Sequence, residues 1–210
     1  MKSKILLVAA IALLSSLSTD AQEFVPCQKG TLASYIALGS GGCMFQSALY
    51  RNFTYTAATT NPVSANEIIV DPVSVPNTSN EFLGLNFSAP WTAAVDTTSV
   101  SVIGYNTVPF PPEAGPAVAG VDLTLDLGTA TIGGIIGGVT VKEQVTTAGI
   151  ASTTNLEVYD TCADGCFLRR TDSVTLSPAS TLQTTLTISL SGGTGGVSLS
   201  NFAADDVFTL

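Results

Sequence analysis

The sequence predicts an all-β fold: an antiparallel β-sandwich, Ig-like or jelly-roll-like, of about ten short strands. Three observations predict it. Short apolar-alternating or β-branched runs recur along the chain, each bounded by Gly, Pro, Asn or Asp. The composition is rich in Thr, Ser, Gly, Ala and Val and poor in strong helix formers. No long segment carries an apolar stripe of helical period, so two-sided sheets must supply the core.

The first element is an export signal. Met1-Lys2-Ser3-Lys4 is a short basic segment, residues 5–14 are apolar and uncharged, and residues 15–21 are small and polar. Thr19 and Ala21 occupy the minus-three and minus-one positions. This is the three-part build of a secretory signal peptide, with cleavage expected between Ala21 and Gln22. The apolar run is too short for a bilayer span, which needs about 20 residues. The expected organisation is therefore a signal peptide at 1–21 and a single β-sandwich domain at 22–210. The protein is expected to work outside the cytoplasm.

Residues 22–42 form a mixed opening in which 33–38 reads as a strand or a short helical turn. Strands follow at 53–57, 67–75, 83–89, 99–107, 118–127, 138–147, 153–161, 167–176, 181–191 and 197–202. In residues 121–127 the alternation is strict. Val121, Leu123, Leu125 and Leu127 take one face, and Asp122, Thr124 and Asp126 the other. The same pattern runs from Leu186 to Leu190 and from Asn155 to Tyr159. The glycine-rich stretches 133–138 and 192–196 lack the Gly-Lys-Ser/Thr ending of a phosphate loop and open no helix. The second reads as a flexible hairpin loop, the first as a hairpin turn or a tight strand pairing. The proline-rich segment 108–116 reads as an extended loop crossing between sheets.

Charge and residue absences exclude several functions. Without Lys2, Lys4 and Asp20 the remaining chain has five basic and 15 acidic residues, a net charge of −10. A phosphate backbone would be repelled, so no nucleic acid partner is expected, and an anionic membrane surface is disfavoured for the same reason. Histidine is absent altogether, which removes Ser-His-Asp and Cys-His mechanisms and every His-ligated metal site. The four cysteines of an exported chain read as two disulfides. Three pairings are open, and closeness in sequence favours Cys27–Cys43 and Cys162–Cys166. Asp-Gly supplies the turn inside the second loop.

Carboxylates are the groups left for acid–base work. Asp122 and Asp126 share a strand face roughly 13 Å apart, too far for a glycosidase pair, so a solvated face is expected. Asp160 and Asp164 flank the second cysteine pair on a turn with too few ligands for a calcium loop of known pattern. No cofactor is expected, calcium being the one ion this loop suits. Asp205-Asp206 reads as a solvated tail. Trp91 follows Ala89-Pro90 at a strand end and reads first as a core or rim anchor. Trp91, Tyr105 and Phe110 are the candidate ligand-contact aromatics if the chain binds sugar. Asn52-Phe53-Thr54, Asn77-Thr78-Ser79 and Asn86-Phe87-Ser88 fit the glycosylation pattern, which chance produces readily in such a composition.

A family resemblance rests on the opening run Cys27 to Gly39 (Cys-Gln-Lys-Gly-Thr-Leu-Ala-Ser-Tyr-Ile-Ala-Leu-Gly) and the following Gly41-Gly42-Cys43. Asn52-Phe53-Thr54-Tyr55, Ile68-Ile69-Val70-Asp71-Pro72-Val73 and the segment from Gly84 to Trp91 add to it. Together these segments resemble the PEP-CTERM proteins, exported bacterial proteins sorted by exosortase, in particular acidobacterial-type ones. The resemblance implies a secreted or cell-surface role associated with extracellular polysaccharide, and it carries over no catalytic residue. Such proteins end in Pro-Glu-Pro, an apolar helix and a basic cluster. The last residues here, Val207 to Leu210, carry none of these, so free secretion is the expectation. The expected function is a structural or interaction role in the extracellular matrix, without enzymatic activity. The alternative is a carbohydrate-binding module for extracellular polysaccharide. Partners expected under either reading are polysaccharide or other surface proteins.

Overall fold

The computed structural model describes residues 24–59, 62–76, 80–111, 117–126, 129–148, 153–163 and 165–209. The expected signal peptide, Asn77 and Asp164 lie outside them. Two facing sheets enclose one apolar core, and the fold is the β-sandwich that the alternating runs predict.

The larger sheet has eight strands. Their order is β1 (Val25–Pro26), β3 (Cys43–Phe45), β4 (Ala48–Ala58), β7 (Thr98–Pro109), β14 (Leu182–Ser191), β10 (Gly137–Thr147), β11 (Thr153–Cys162) and β12 (Cys166–Arg169). The smaller has seven. Its order is β13 (Thr171–Ala179), β8 (Ala117–Thr124), β15 (Val197–Thr209), β6 (Asn80–Ala93), β5 (Ile69–Pro76) and β2 (Gly30–Thr31), with β9 (Ala130–Ile132) also pairing with β15. β1 and β3 run parallel. The long central pairs are antiparallel.

Alternation builds each sheet. Along β14, Leu182, Thr184, Leu186, Ile188 and Leu190 are buried, while Gln183, Thr185, Thr187 and Ser189 face outward. Along β6, Leu83, Leu85, Phe87, Ala89, Trp91 and Ala93 point into the core. Pro90 has no N–H for the ladder and falls where the β6–β15 register shifts, the position a strand proline tolerates. Six aromatic rings form a continuous stack through the interior. It runs Tyr35, Phe53, Tyr105, Phe87, Phe202, Trp91, with successive centroids 5.0, 5.5, 6.2, 5.4 and 5.7 Å apart.

Three expectations are refined. Residues 33–38 fall largely in a helix, α1 (Leu32–Ala37). Thr31 caps it, its hydroxyl accepting from the Ser34 N–H at 3.2 Å, and Leu32 and Tyr35 are buried beneath it. The run 167–176 is two strands in different sheets: β12 edges the larger sheet and β13 edges the smaller, with the chain crossing at Arg170. The last strand extends to Thr209, so Asp205 and Asp206 lie within β15 rather than in a solvated tail. Phe202, Ala204 and Phe208 are buried in phase with Asp206, and this alternation carries the strand onward.

Both disulfides form as expected, Cys27–Cys43 and Cys162–Cys166. No helix of the described residues is long and apolar enough to cross a membrane.

Candidate functional site

The outer face of the larger sheet is built from hydroxyls and amides. Register places Thr54 and Thr56 of β4, Asn106 of β7, Gln183, Thr185 and Thr187 of β14, and Gln144 of β10 on one side of the pleat. Lys142 and Glu157 pair across this face at 3.1 Å. A depression lies at each end. From Thr181 to Ser191 along β14 the separation is roughly 33 Å at strand rise.

The first depression, of about 550 Å³, is lined by Phe24, Leu49, Arg51, Val108 and Phe110 together with Ser40, Gly41, Ser180 and Thr181. Its geometry begins with a bulge. The β4–β7 register shifts between Arg51 and Thr54, with Asn52 at φ 57°, so Arg51 and Thr54 both stay outward while Phe53 turns into the core. The Phe110 N–H donates to the Ser47 carbonyl at 2.7 Å, fixing the chain just past β7. Phe24 meets Phe110 edge to face, with centroids 5.1 Å apart. The Arg51 Nε is buried with no hydrogen-bond partner among the described residues. The groove thus combines an aromatic pair, a guanidinium and hydroxyls.

The second depression, of about 410 Å³, has Thr98, Val100, Thr140, Thr161, Ser189 and Ser191 around Gly138, with Ile136 at its margin. A side chain at Gly138 would meet the Thr161 Cβ at 2.9 Å, so glycine keeps this floor open. Tyr159 is paired with both Thr140 and Arg169, and Phe167 with Thr161, which sets both rings on the same face beside the depression. Phe167 is 60% exposed.

Of the three aromatics expected to touch a ligand, two are corrected. Trp91 is 0% exposed and Tyr105 is 2% exposed, and both belong to the ring stack. Period-two spacing carries them inward: Trp91 is in phase with Leu83 to Ala89, and Tyr105 with Ile103. Phe110 alone lines a groove. Sequence reasoning passed over Tyr159 and Phe167. Alternation along β11 and the exposure of an edge strand are the signals that bear on them.

The carboxylates are also rearranged. Asp122 and Asp126 lie at least partly exposed at the end of β8 and beyond it, and Thr124 donates to Asp122 at 3.0 Å. Register sets Asp205 opposite Asp122 on the outer face of the smaller sheet. Burial, then the charges of Asp122 and Asp126, push the Asp205 carboxyl up to about 6. The two acids sit side by side on neighbouring strands, not across a cleft. Asp160 lies in β11, and its expected partner Asp164 is outside the described residues. Among the described residues no group of three or more acidic or cysteine side chains is placed to hold a metal ion. Asn86 is in mid β6 with its Oδ1 buried, whereas Asn52 is exposed at the bulge.

No protein-family model matches the sequence, and no curated protein matches it. Solved structures with a similar path include TmCBM61 in complex with beta-1,4-galactotriose. It is 14% identical, with 74% of this chain and 86% of that one covered at a TM-score of 0.29. The family 11 carbohydrate-binding module from Clostridium thermocellum, in complex with a beta-1,3-1,4-mixed-linked tetrasaccharide, is 6% identical over 76% and 88%, at 0.26. The enzymatically active domain of tailspike protein 4 from bacteriophage CBA120 is 10% identical over 74% of this chain and 19% of that one, at 0.32. At these TM-scores the likenesses carry no argument about ligand or activity.

Proposed function

We propose that this protein is an exported, disulfide-stapled interaction module that binds polysaccharide at the outer face of its larger sheet, without catalysing a reaction. The carrying observation is the Phe24–Phe110–Arg51 groove, open at the end of a face made of Thr, Gln and Asn. Aromatic rings offer an apolar surface to the C–H faces of a sugar, and hydroxyls and a guanidinium offer hydrogen bonds to its oxygens. The strong negative charge favours a neutral polymer over an acidic one. Two disulfides and the three-part amino terminus support extracellular work. The resemblance to PEP-CTERM proteins supports the same compartment and a place beside extracellular polysaccharide.

Affinity electrophoresis through gels containing neutral polysaccharides tests this reading. The wild-type protein is expected to be retarded by at least one polymer. Phe110→Ala and Arg51→Ala are expected to lose most of that retardation while keeping the folded mobility. Equal retardation of wild type and both variants would move the site elsewhere. No retardation by any neutral polymer would overturn the polysaccharide reading.

A further inference from the structure

The middle of the sandwich is not purely apolar. Glu143 of β10, in the larger sheet, is 1% exposed, and Asp206 of β15, in the smaller sheet, is 2% exposed. The Thr107 hydroxyl of β7 donates to Asp206 Oδ2 at 2.8 Å, a hydrogen bond that crosses from one sheet to the other. Around these acids Tyr50 of β4, Tyr105 of β7 and Thr184 of β14 are buried. Glu143 Oε2, the Tyr50 hydroxyl and the Thr184 hydroxyl have no partner among the described residues.

The groups acting on this pair are unfavourable to charge. Glu143 feels Asp206, Asp205 and Asp122 from β15 and β8. Asp206 feels Asp205. The phenols of Tyr50 and Tyr105 feel Glu143, Asp205, Asp206 or each other, and Tyr50 also feels Tyr35 and Glu81. Lys142, the cation next to Glu143 in sequence, faces outward and pairs with Glu157. Two buried carboxylates cannot both stay ionised in such surroundings without large cost.

We propose that Glu143 and Asp206 form a proton-operated clamp between the two sheets: carrying protons they let the sandwich close over them, and ionised they work to part it. Burial pushes both carboxyls up, Asp206 to about 7 against the lowering effect of the Thr107 hydrogen bond. A raised folded-state value means that the native protein holds protons that the unfolded chain releases. The contribution of Asp206 is complete below about pH 4, where the unfolded acids are protonated too, and is lost as pH rises through about 7; that of Glu143 has the same sign. No histidine titrates within this window, so carboxyls shape it.

Denaturant unfolding of the oxidised protein between about pH 5 and pH 8.5 tests the clamp. In the wild type the unfolding equilibrium constant is expected to rise roughly hundredfold over that range, from Asp206 alone. Glu143→Gln and Asp206→Asn, which keep shape and remove the ionisation, should each flatten the dependence. Asp205→Asn should remove only the part centred near 6. A flat or rising wild-type stability, or a slope unchanged in both variants, overturns the proposal. Should either variant fail to fold, pH-difference infrared spectroscopy of the wild type decides. A protonated-carboxyl band that fades only as pH passes neutrality supports the clamp, and its absence at pH near 6 overturns it.

Discussion

Trp91 ends the internal ring stack, against Phe202, and its whole surface is buried. Truncating it leaves a void that neighbouring strands cannot close, since both β6 and β15 are fixed by ladders on each side. Trp91→Ala is expected to cost roughly 3–5 kcal/mol in denaturant unfolding. A loss below about 1 kcal/mol would mean that the ring is not packed as described. Phe110→Ala should cost far less in the same assay, because that ring lines an open groove. The contrast separates a packing aromatic from a binding one. Position in the alternating register makes the same separation: residues in phase with a run of buried neighbours go inside whatever their chemistry. Asp206 obeys that rule between Phe202 and Phe208 although it is an acid. Its place near the end of the sequence suggests a solvated tail, but its phase is the stronger signal.

At the scale of elements, the two glycine-rich stretches are a single device. The Gly133 N–H donates to the Gly196 carbonyl at 2.9 Å, and the Thr194 N–H to the Ile136 carbonyl at 3.1 Å. A Cβ at Gly133 would stand 2.3 Å from the Gly195 carbonyl oxygen, so backbone meets backbone with no room for side chains. Gly133→Ala is expected to destabilise the fold by about 1–3 kcal/mol through overpacking, read as a lower thermal midpoint. A midpoint equal to the wild type's would show that the loops part freely. Each stretch was legible as a turn, but their mating was not, because the contact joins residues about 60 apart in sequence through backbone alone. The split of 167–176 was hidden for a related reason. No Gly or Pro marks the break within 167–176, while the change of sheet is decided by which edge each half can pair with. The central strands were legible because they obey one period on two faces. The short strands β1, β2, β3 and β9 were not, being two or three residues each and held by their partners. The grooves depend on bulges and on cross-strand neighbours, which a linear sequence does not display.

For the whole molecule, the placement of the two disulfides matters more than their number. Cys27 follows β1 and joins β3, and Cys162 and Cys166 join β11 to β12. These are the two opposite edges of the larger sheet. Loops of 16 and 4 residues give about 3 and about 2 kcal/mol on the chain-entropy estimate. Neither bridge ties one sheet to the other, a task left to the core and to contacts such as Thr107–Asp206 and the Glu157 N–H donating to Asp172 Oδ2 at 2.9 Å. Hydrogen exchange checks the arrangement. In the oxidised protein the amides of β3 and β11 should exchange only slightly faster than those of β14. After reduction they should exchange well ahead of β14, while β14 itself stays protected. Equal acceleration of all three strands would mean that the bridges hold the whole fold rather than its margins. A cloth sewn along both selvedges does not unravel thread by thread. The larger sheet therefore offers a protease no loose edge strand to begin on, and its lifetime is then set by the rare event of opening everywhere at once.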